Sequence, residues 1–208
     1  MVDLHIHSDA SDGFHTVESI VSELVANRIA YAALTDHDTV KGVAEFLGRS
    51  RVNGIRAVAG VEITAEDDIN ETHHILGYGI DISNSLLGDI FKAPEVSCAE
   101  AITAIKQAGG YAVWAHPGFS CSIDIIRSRV KEFIGCGLDG IEAFHHAHIP
   151  EAVHRCIDLA KEYDLLITAG TDFHYNGSEQ IGSIDFHGYD VRLMLAKTIE
   201  QIFGEARC

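Results

Sequence analysis

The chain has 208 residues, 47% of them hydrophobic, with 19 Gly and only 3 Pro, which suffices to bury the core of one domain spanning 1–208, with no linker or internal repeat. A formal net charge of -16, from 15 Lys plus Arg against 31 Asp plus Glu, argues against long nucleic acid as a partner, because such binding rests on many cationic contacts to phosphates. No apolar run is long enough to span a bilayer, no signal-like segment precedes the first strand, and five Cys without a C-x-x-C pair read as free thiols, so the expected location is the cytoplasm.

In chain order, residues 2–6 read as a strand that ends in His5 and His7, which alternation puts on one face, with Asp9 and Asp12 just beyond. Thr16 is a suitable N-cap for a helix over 17–28, where Val17, Ile20, Val21, Leu24 and Val25 form an apolar stripe. A second strand, 29–34, ends in Thr35-Asp36-His37-Asp38, and a helix follows over 40–51. The third strand, 55–61, runs into Glu62, and the fourth, 74–80, opens with His73-His74. Residues 81–96 read as an irregular connector before a helix over 97–108 that Gly109-Gly110 closes. The fifth strand, 111–114, leads to His116-Pro117 and a helix over 122–135. The sixth, 138–144, carries Glu142 and leads to His145, His146 and His148, with Pro150 starting a helix over 150–163. The seventh, 165–169, leads to Asp172 and His174, which repeat the spacing of His5 and His7, and a helix over 190–203 follows.

Alternating strands and helices call for a parallel sheet, and about seven such units suggest a distorted (β/α)7 barrel rather than an open sheet. The carboxyl ends of parallel strands converge on one mouth, and here nearly every strand delivers potential metal ligands to it. With 13 His in the chain, one H-x-H pair means little, but six such endings in one polarity are organised. His-x-His at 5–7, S-D-G at 11–13, T-D-H-D at 35–38, G-V-E at 60–62, H-I-L-G-Y at 74–78, A-H-P at 115–117 and T-D-F-H at 171–174 together resemble the polymerase-and-histidinol-phosphatase (PHP) family, in that family's order. The resemblance implies a distorted seven-unit barrel and a metal-dependent phosphoesterase with three divalent ions. One ion would take His5, His7, Glu62 and Asp172; a second would share Glu62 and take His74 and His116; a third would take Asp12, His37 and His174. Mixed imidazole and carboxylate ligation suits Mn, Fe or Zn better than Mg or Ca.

Two close ions can bridge a water, lower its pKa and aim it at phosphorus. Three divalent ions against three carboxylates leave a local charge of about +3, which inverts the acidity of the chain and draws a small phosphorylated substrate, a nucleotide or metabolite. Asp36 and Asp38 are candidates to orient His37 and its neighbours, Asp38 being equally suited to cap a helix. One of His145, His146 and His148 could give a proton to the leaving group, although solvated loop residues are the first reading of all three. His187 could reach the mouth or lie on the surface, Arg127 and Arg129 could grip a phosphate but read first as a solvated helix face, and His73 should lie on the strand face opposite His74. An exonuclease, a C–N hydrolase and a non-catalytic metal-binding regulatory module are the alternatives. Family members that resemble nucleotide phosphatases often add a subdomain between the fourth and fifth strands, where this chain has only the 81–96 connector.

Overall fold

Seven strands lie in sequential order in one sheet: β1 Val2–Asp3, β2 Tyr31–Leu34, β3 Arg56–Glu66, β4 Thr72–Tyr78, β5 Tyr111–Trp114, β6 Gly140–His145 and β7 Leu166–Gly170. The helices are α1 Val17–Ala26, α2 Val43–Val52, α3 Ser85–Ile90, α4 Cys98–Gln107, α5 Pro117–Ser120, α6 Ile123–Cys136, α7 Pro150–Tyr163 and α8 Val191–Phe203. The structure, a computed structural model, describes residues 1–204 apart from 69, 70, 176, 178 and 179. Cys98, Cys121, Cys136 and Cys156 are free thiols, and Cys208 lies outside the described residues. No helix of the described residues is long and apolar enough to cross a membrane.

The sheet curls until its first and last strands meet. Leu4 N–H donates to Ala169 O at 3.0 Å, His7 N–H donates to Phe173 O at 2.9 Å, and Ile6 bridges Phe173 in parallel. These contacts carry β1 past its formal end at Asp3 and make the sheet a nearly closed barrel with helices interleaved around it. Several helix starts follow from local chemistry. The Thr16 side chain accepts from Ser19 N–H at α1, Ser97 and Glu100 form a reciprocal capping box at α4, and Pro150 occupies the first turn of α7. Inside the shell, Trp114, Tyr78, Phe133 and Phe144 are fully buried among the aliphatic faces of β4–β7, α4, α6 and α7.

Two expectations need correction. The sheet is not all parallel: β4 runs antiparallel to both β3 and β5, while the remaining pairs are parallel. Only residues 67–71 separate β3 from β4, and a parallel return needs a crossover of a dozen or more residues. Asp67 and Glu71 close this turn, with Asp67 N–H on Glu71 O at 3.0 Å and Glu71 N–H on Asp67 Oδ1 at 2.8 Å. A reversed strand brings its first residues to the mouth where its neighbours bring their last, which is why β4 opens with its histidines. The 81–96 connector is also not wholly irregular, since it holds α3, capped by Asn84 and anchored by the buried Leu87.

Candidate metal centre

Glu62 of β3 is fully buried at the centre of the mouth, and five imidazoles face its carboxylate. Its Oε2 lies 2.8 Å from His5 Nε2, 3.0 Å from His7 Nε2 and 3.5 Å from His37 Nε2. Its Oε1 lies 3.0 Å from His74 Nδ1 and 3.2 Å from His116 Nε2. Each oxygen thus serves a different group of rings, the arrangement a bridging carboxylate needs. Asp172 Oδ1 approaches His5 Nε2 at 3.2 Å and His7 Nε2 at 3.0 Å. Asp12 Oδ2 lies 3.2 Å from His174 Nε2 and 3.9 Å from His37 Nε2, and its Oδ1 lies 3.6 Å from His7 Nδ1.

The structure therefore brings together all nine residues named from the motifs. Their donor atoms fall into three mutually close groups: His5, His7, Glu62 and Asp172; His37, Glu62 and His74; and His7, Asp12, His37 and His174. The first has the expected membership. In the second His37 joins Glu62 and His74, with His116 alongside Glu62, and in the third His7 is added.

The donors fit divalent ions. Both ring nitrogens of His7, Nδ1 of His37, Nδ1 of His74 and Oδ1 of Asp172 are buried without a hydrogen-bond partner, although other donors stand about 3 Å away. Polar atoms that crowd a common point without hydrogen-bond geometry between them are arranged as ligands are around a shared cation. Each orphaned group would otherwise cost about 1–3 kcal/mol. Burial works to lower the pKa of His5 and His7, but Glu62 and Asp172 outweigh it, and His7 is raised to about 9. Burial likewise opposes ionisation of Glu62 and Asp172, yet the rings hold both carboxylates well below their ordinary range. Cations binding here would displace ring protons.

Backbone geometry presents these groups at some cost. His116 (φ 27°), Asp172 (φ 53°) and Asp38 (φ 49°) all adopt left-handed conformations that non-glycine residues avoid, and such strain concentrates at functional sites. Asp172 is accordingly not part of an extended strand, so it and His174 do not repeat the geometry of His5 and His7; β7 ends at Gly170. A Cβ at Gly170 would sit 2.1 Å from Cβ of His5, and one at Gly13 would sit 2.5 Å from the carbonyl oxygen of His7. Glycine at these positions lets the β7 end and the Asp12 loop approach the two histidines.

Two carboxylates that sequence reasoning did not single out complete the centre. Glu142 of β6, fully buried, accepts from His5 Nδ1 at 3.1 and 3.2 Å and from the His116 backbone N–H at 2.9 Å. Its signal was a carboxylate inside an apolar strand, Ile141-Glu142-Ala143-Phe144. Asp3 shares the alternating face of His5 and His7, and it accepts from Thr171 N–H, Thr171 Oγ1–H and Gly182 N–H at 3.0, 2.7 and 2.8 Å. It ties β1 to the segment that carries Asp172.

The remaining candidates divide. Asp36 is buried and accepts from Ser8 N–H, Ser8 Oγ–H and Ser11 Oγ–H, each at 2.7 Å, so it braces the 8–11 loop. Asp38 accepts from Thr64 N–H at 3.1 Å. His145 is buried rather than solvated: its Nε2 is 3.4 Å from Asp172 Oδ2 and its Nδ1 accepts from Ala147 N–H at 3.2 Å. His148 is also buried, with Nδ1–H on Ala143 O at 3.0 Å and Nε2 accepting from Gly118 N–H at 3.1 Å. His146 Nδ1 lies 2.9 Å from Thr171 O. His187 sits beside Asp185 at 3.3 Å. His73 points away from His74, toward Asp67 at 3.1 Å. Arg127 pairs with Glu162 at 2.7 Å, and Arg129, only 11% exposed, holds Asp67, so it is not a solvated face.

The PHP domain model matches residues 3–191. Similar proteins include phosphoribosyl 1,2-cyclic phosphate 1,2-diphosphodiesterase of Eggerthella lenta, 26% identical, with 83% of this chain and 93% of the relative covered. The 3',5'-nucleoside bisphosphate phosphatase of Chromobacterium violaceum is 25% identical (85% and 88% covered), and the 5'-3' exoribonuclease Rnm of Escherichia coli is 26% identical (83% and 84% covered). The first of these alignments extends over 248 positions against the 208 residues here, so that relative carries insertions that this chain lacks. Among solved structures, a protein of Bifidobacterium adolescentis classed as a metal-dependent phosphoesterase superposes with a TM-score of 0.82 at 22% identity, covering 100% of this chain and 96% of its own, a likeness of fold.

Proposed function

The chain belongs to the PHP domain family, and from that premise we propose that it hydrolyses phosphate esters of small molecules, a nucleotide or phosphorylated metabolite, using three divalent ions of Mn, Fe or Zn. The observation that carries this reading is the crowding of buried imidazole nitrogens around both oxygens of Glu62, with those of His7 and Nδ1 of His74 lacking a hydrogen-bond partner. His5, His7, Glu62 and Asp172 would hold one ion, Glu62, His74 and His116 a second, and Asp12, His37 and His174 a third. Such ions supply Lewis acidity toward phosphoryl oxygens and a nucleophile at neutral pH. Glu142 acts through His5: accepting Nδ1–H fixes the tautomer and leaves Nε2 as the ligand atom. His145, whose pKa burial lowers, acts through Asp172 as a neutral ring. Counting Glu142, four carboxylates against three ions leave about +2, still opposite in sign to the chain as a whole.

Exposed aromatic rings flank the mouth. Phe119, 71% exposed, lies 6.0 Å from the His116 ring, and Phe14, 79% exposed, packs edge-on against Tyr175 beyond Asp12. Both are placed to stack on a planar base attached to the ester. The E. lenta and C. violaceum relatives are named for small phosphorylated substrates, which supports this class. The similarity to an exoribonuclease supports exonucleolytic action on RNA as the second reading. Steady-state kinetics with Mn²⁺ on a mononucleotide and a matching short oligonucleotide, at low and moderate salt, separates the two. The acidic body should penalise the oligonucleotide most at low salt, where the Debye length exceeds about 10 Å. Preference for the oligonucleotide at both salts replaces the small-molecule reading with the exonuclease.

A further inference from the structure

On the far face of β4, outside the mouth, a second set of metal-ligating side chains meets. His73 Nε2 lies 3.1 Å from Asp67 Oδ2, an oxygen that also accepts from Arg129 at 2.7 Å. An oxygen that accepts from a guanidinium accepts from the ring as well, so Nε2 carries the proton and Nδ1 is left with its lone pair. That Nδ1 is buried with no hydrogen-bond partner among the described residues, in a residue 1% exposed. The ring cannot turn to relieve this, because Trp114 and Phe133 pack edge-on against it, each at 5.5 Å. Ligand atoms of His73, Cys121 and Glu71 all lie within 4.8 Å of one another.

We propose that His73, Cys121 and Glu71 form a separate zinc-type site, with solvent or an external ligand in the fourth position. Imidazole, thiolate and carboxylate are the three ligand types zinc takes, and a carboxylate behind the histidine is the usual way its tautomer is set. The edges of a zinc tetrahedron are about 3.3–3.8 Å, so closing the set needs shifts of roughly 1 Å, within reach of Glu71 and Cys121 on their loops. Among the described residues Asp67, Asp68, Glu71 and Glu132 outnumber the cation Arg129 with which three of them pair, so the local charge favours a dication. Burial and Glu71 push the Cys121 thiol up to about 11, so without metal it keeps a proton that a bound ion would displace. An ion here would pin the turn between β3 and β4 to the segment joining α5 to α6, directly behind His74.

The nine residues of the central cluster include no cysteine, so a thiolate signal reports the new site alone. The experiment is titration of the full chain, freed of metal by a chelator, with Co²⁺ and then Zn²⁺. A cysteine-to-cobalt charge-transfer band should grow to about one equivalent per chain and disappear when zinc replaces cobalt. C121S should abolish the band and lower zinc content by about one ion, while C136S and H74A keep the band. Should C121S fail to fold, alkylation of the wild type decides: zinc should shield Cys121 and leave Cys136 labelling unchanged. No thiolate band at full cobalt loading, a band that survives C121S, or equal Cys121 labelling with and without zinc each overturns the proposal.

Discussion

Replacing Glu142 by Gln tests whether a carboxylate 137 residues away from His5 in sequence sets the centre's affinity for metal. Glu142 is fully buried and accepts from His5 Nδ1 through both oxygens and from the His116 backbone N–H. Gln keeps the volume but has one acceptor oxygen, so its NH₂ group faces a donor and one charge-assisted hydrogen bond is lost. Bonds of that kind contribute about 1.5–3 kcal/mol. At about 1.4 kcal/mol per factor of ten, this is a roughly 10- to 100-fold loss in affinity for the ion His5 holds, the usual penalty for removing a partner behind a ligating histidine. Glu142→Ala leaves both donors unpaired and belongs at the upper end. The assay is Mn²⁺ binding by competition with a fluorescent chelator, alongside phosphatase activity against Mn²⁺ concentration and a thermal melt to verify folding. Activity should recover in part as Mn²⁺ is raised. A folded Glu142→Gln protein that binds Mn²⁺ within about twofold of wild type refutes the reasoning.

Three further outcomes are expected. Glu62→Ala should lose more metal by elemental analysis than any other single change, because five rings share its two oxygens, and retention of the full complement contradicts the bridging assignment. His74→Ala should abolish phosphoesterase activity, whereas His73→Ala should spare the central ions yet cost about 1–3 kcal/mol in urea unfolding, since it removes one hydrogen bond from the buried Asp67 carboxylate; the reverse pattern would mean a register error in β4. His148 is pushed down to about 4 by burial, and its neutral ring uses both nitrogens. Its folded pKa lies below the unfolded value near 6.5, so its contribution is complete above that value and is lost as pH falls toward 4. Between pH 7.5 and 5 the wild type should lose about 2 kcal/mol more than His148→Gln, and equal losses would show that the ring is not held neutral.

The order of motifs, the helix starts and the barrel class are written in short stretches of sequence. An N-cap, a capping box, a run of branched residues or an H-x-H pair each acts within about ten residues, where local sterics and hydrogen bonding decide the outcome. The nine candidate ligands were legible on those terms, as was the opposition of His73 to His74, because side chains alternate along a strand. The reversal of β4 was not legible: strands expected at 55–61 and 74–80 leave a dozen residues between them, room for a crossover, and only the greater length of β3 and β4 cuts the connection to 67–71. Nor were Glu142 and Asp3. Each looks like an isolated carboxylate in an apolar strand until barrel closure sets β6 and the segment after β7 against His5. The same closure buries His145 beside Asp172, and the tertiary packing of α6 seats Arg129 on Asp67, although local pattern had placed both residues in solvent. A group's charge state and partner depend on what the rest of the chain packs against it, and that is settled only when strands far apart in sequence complete one barrel.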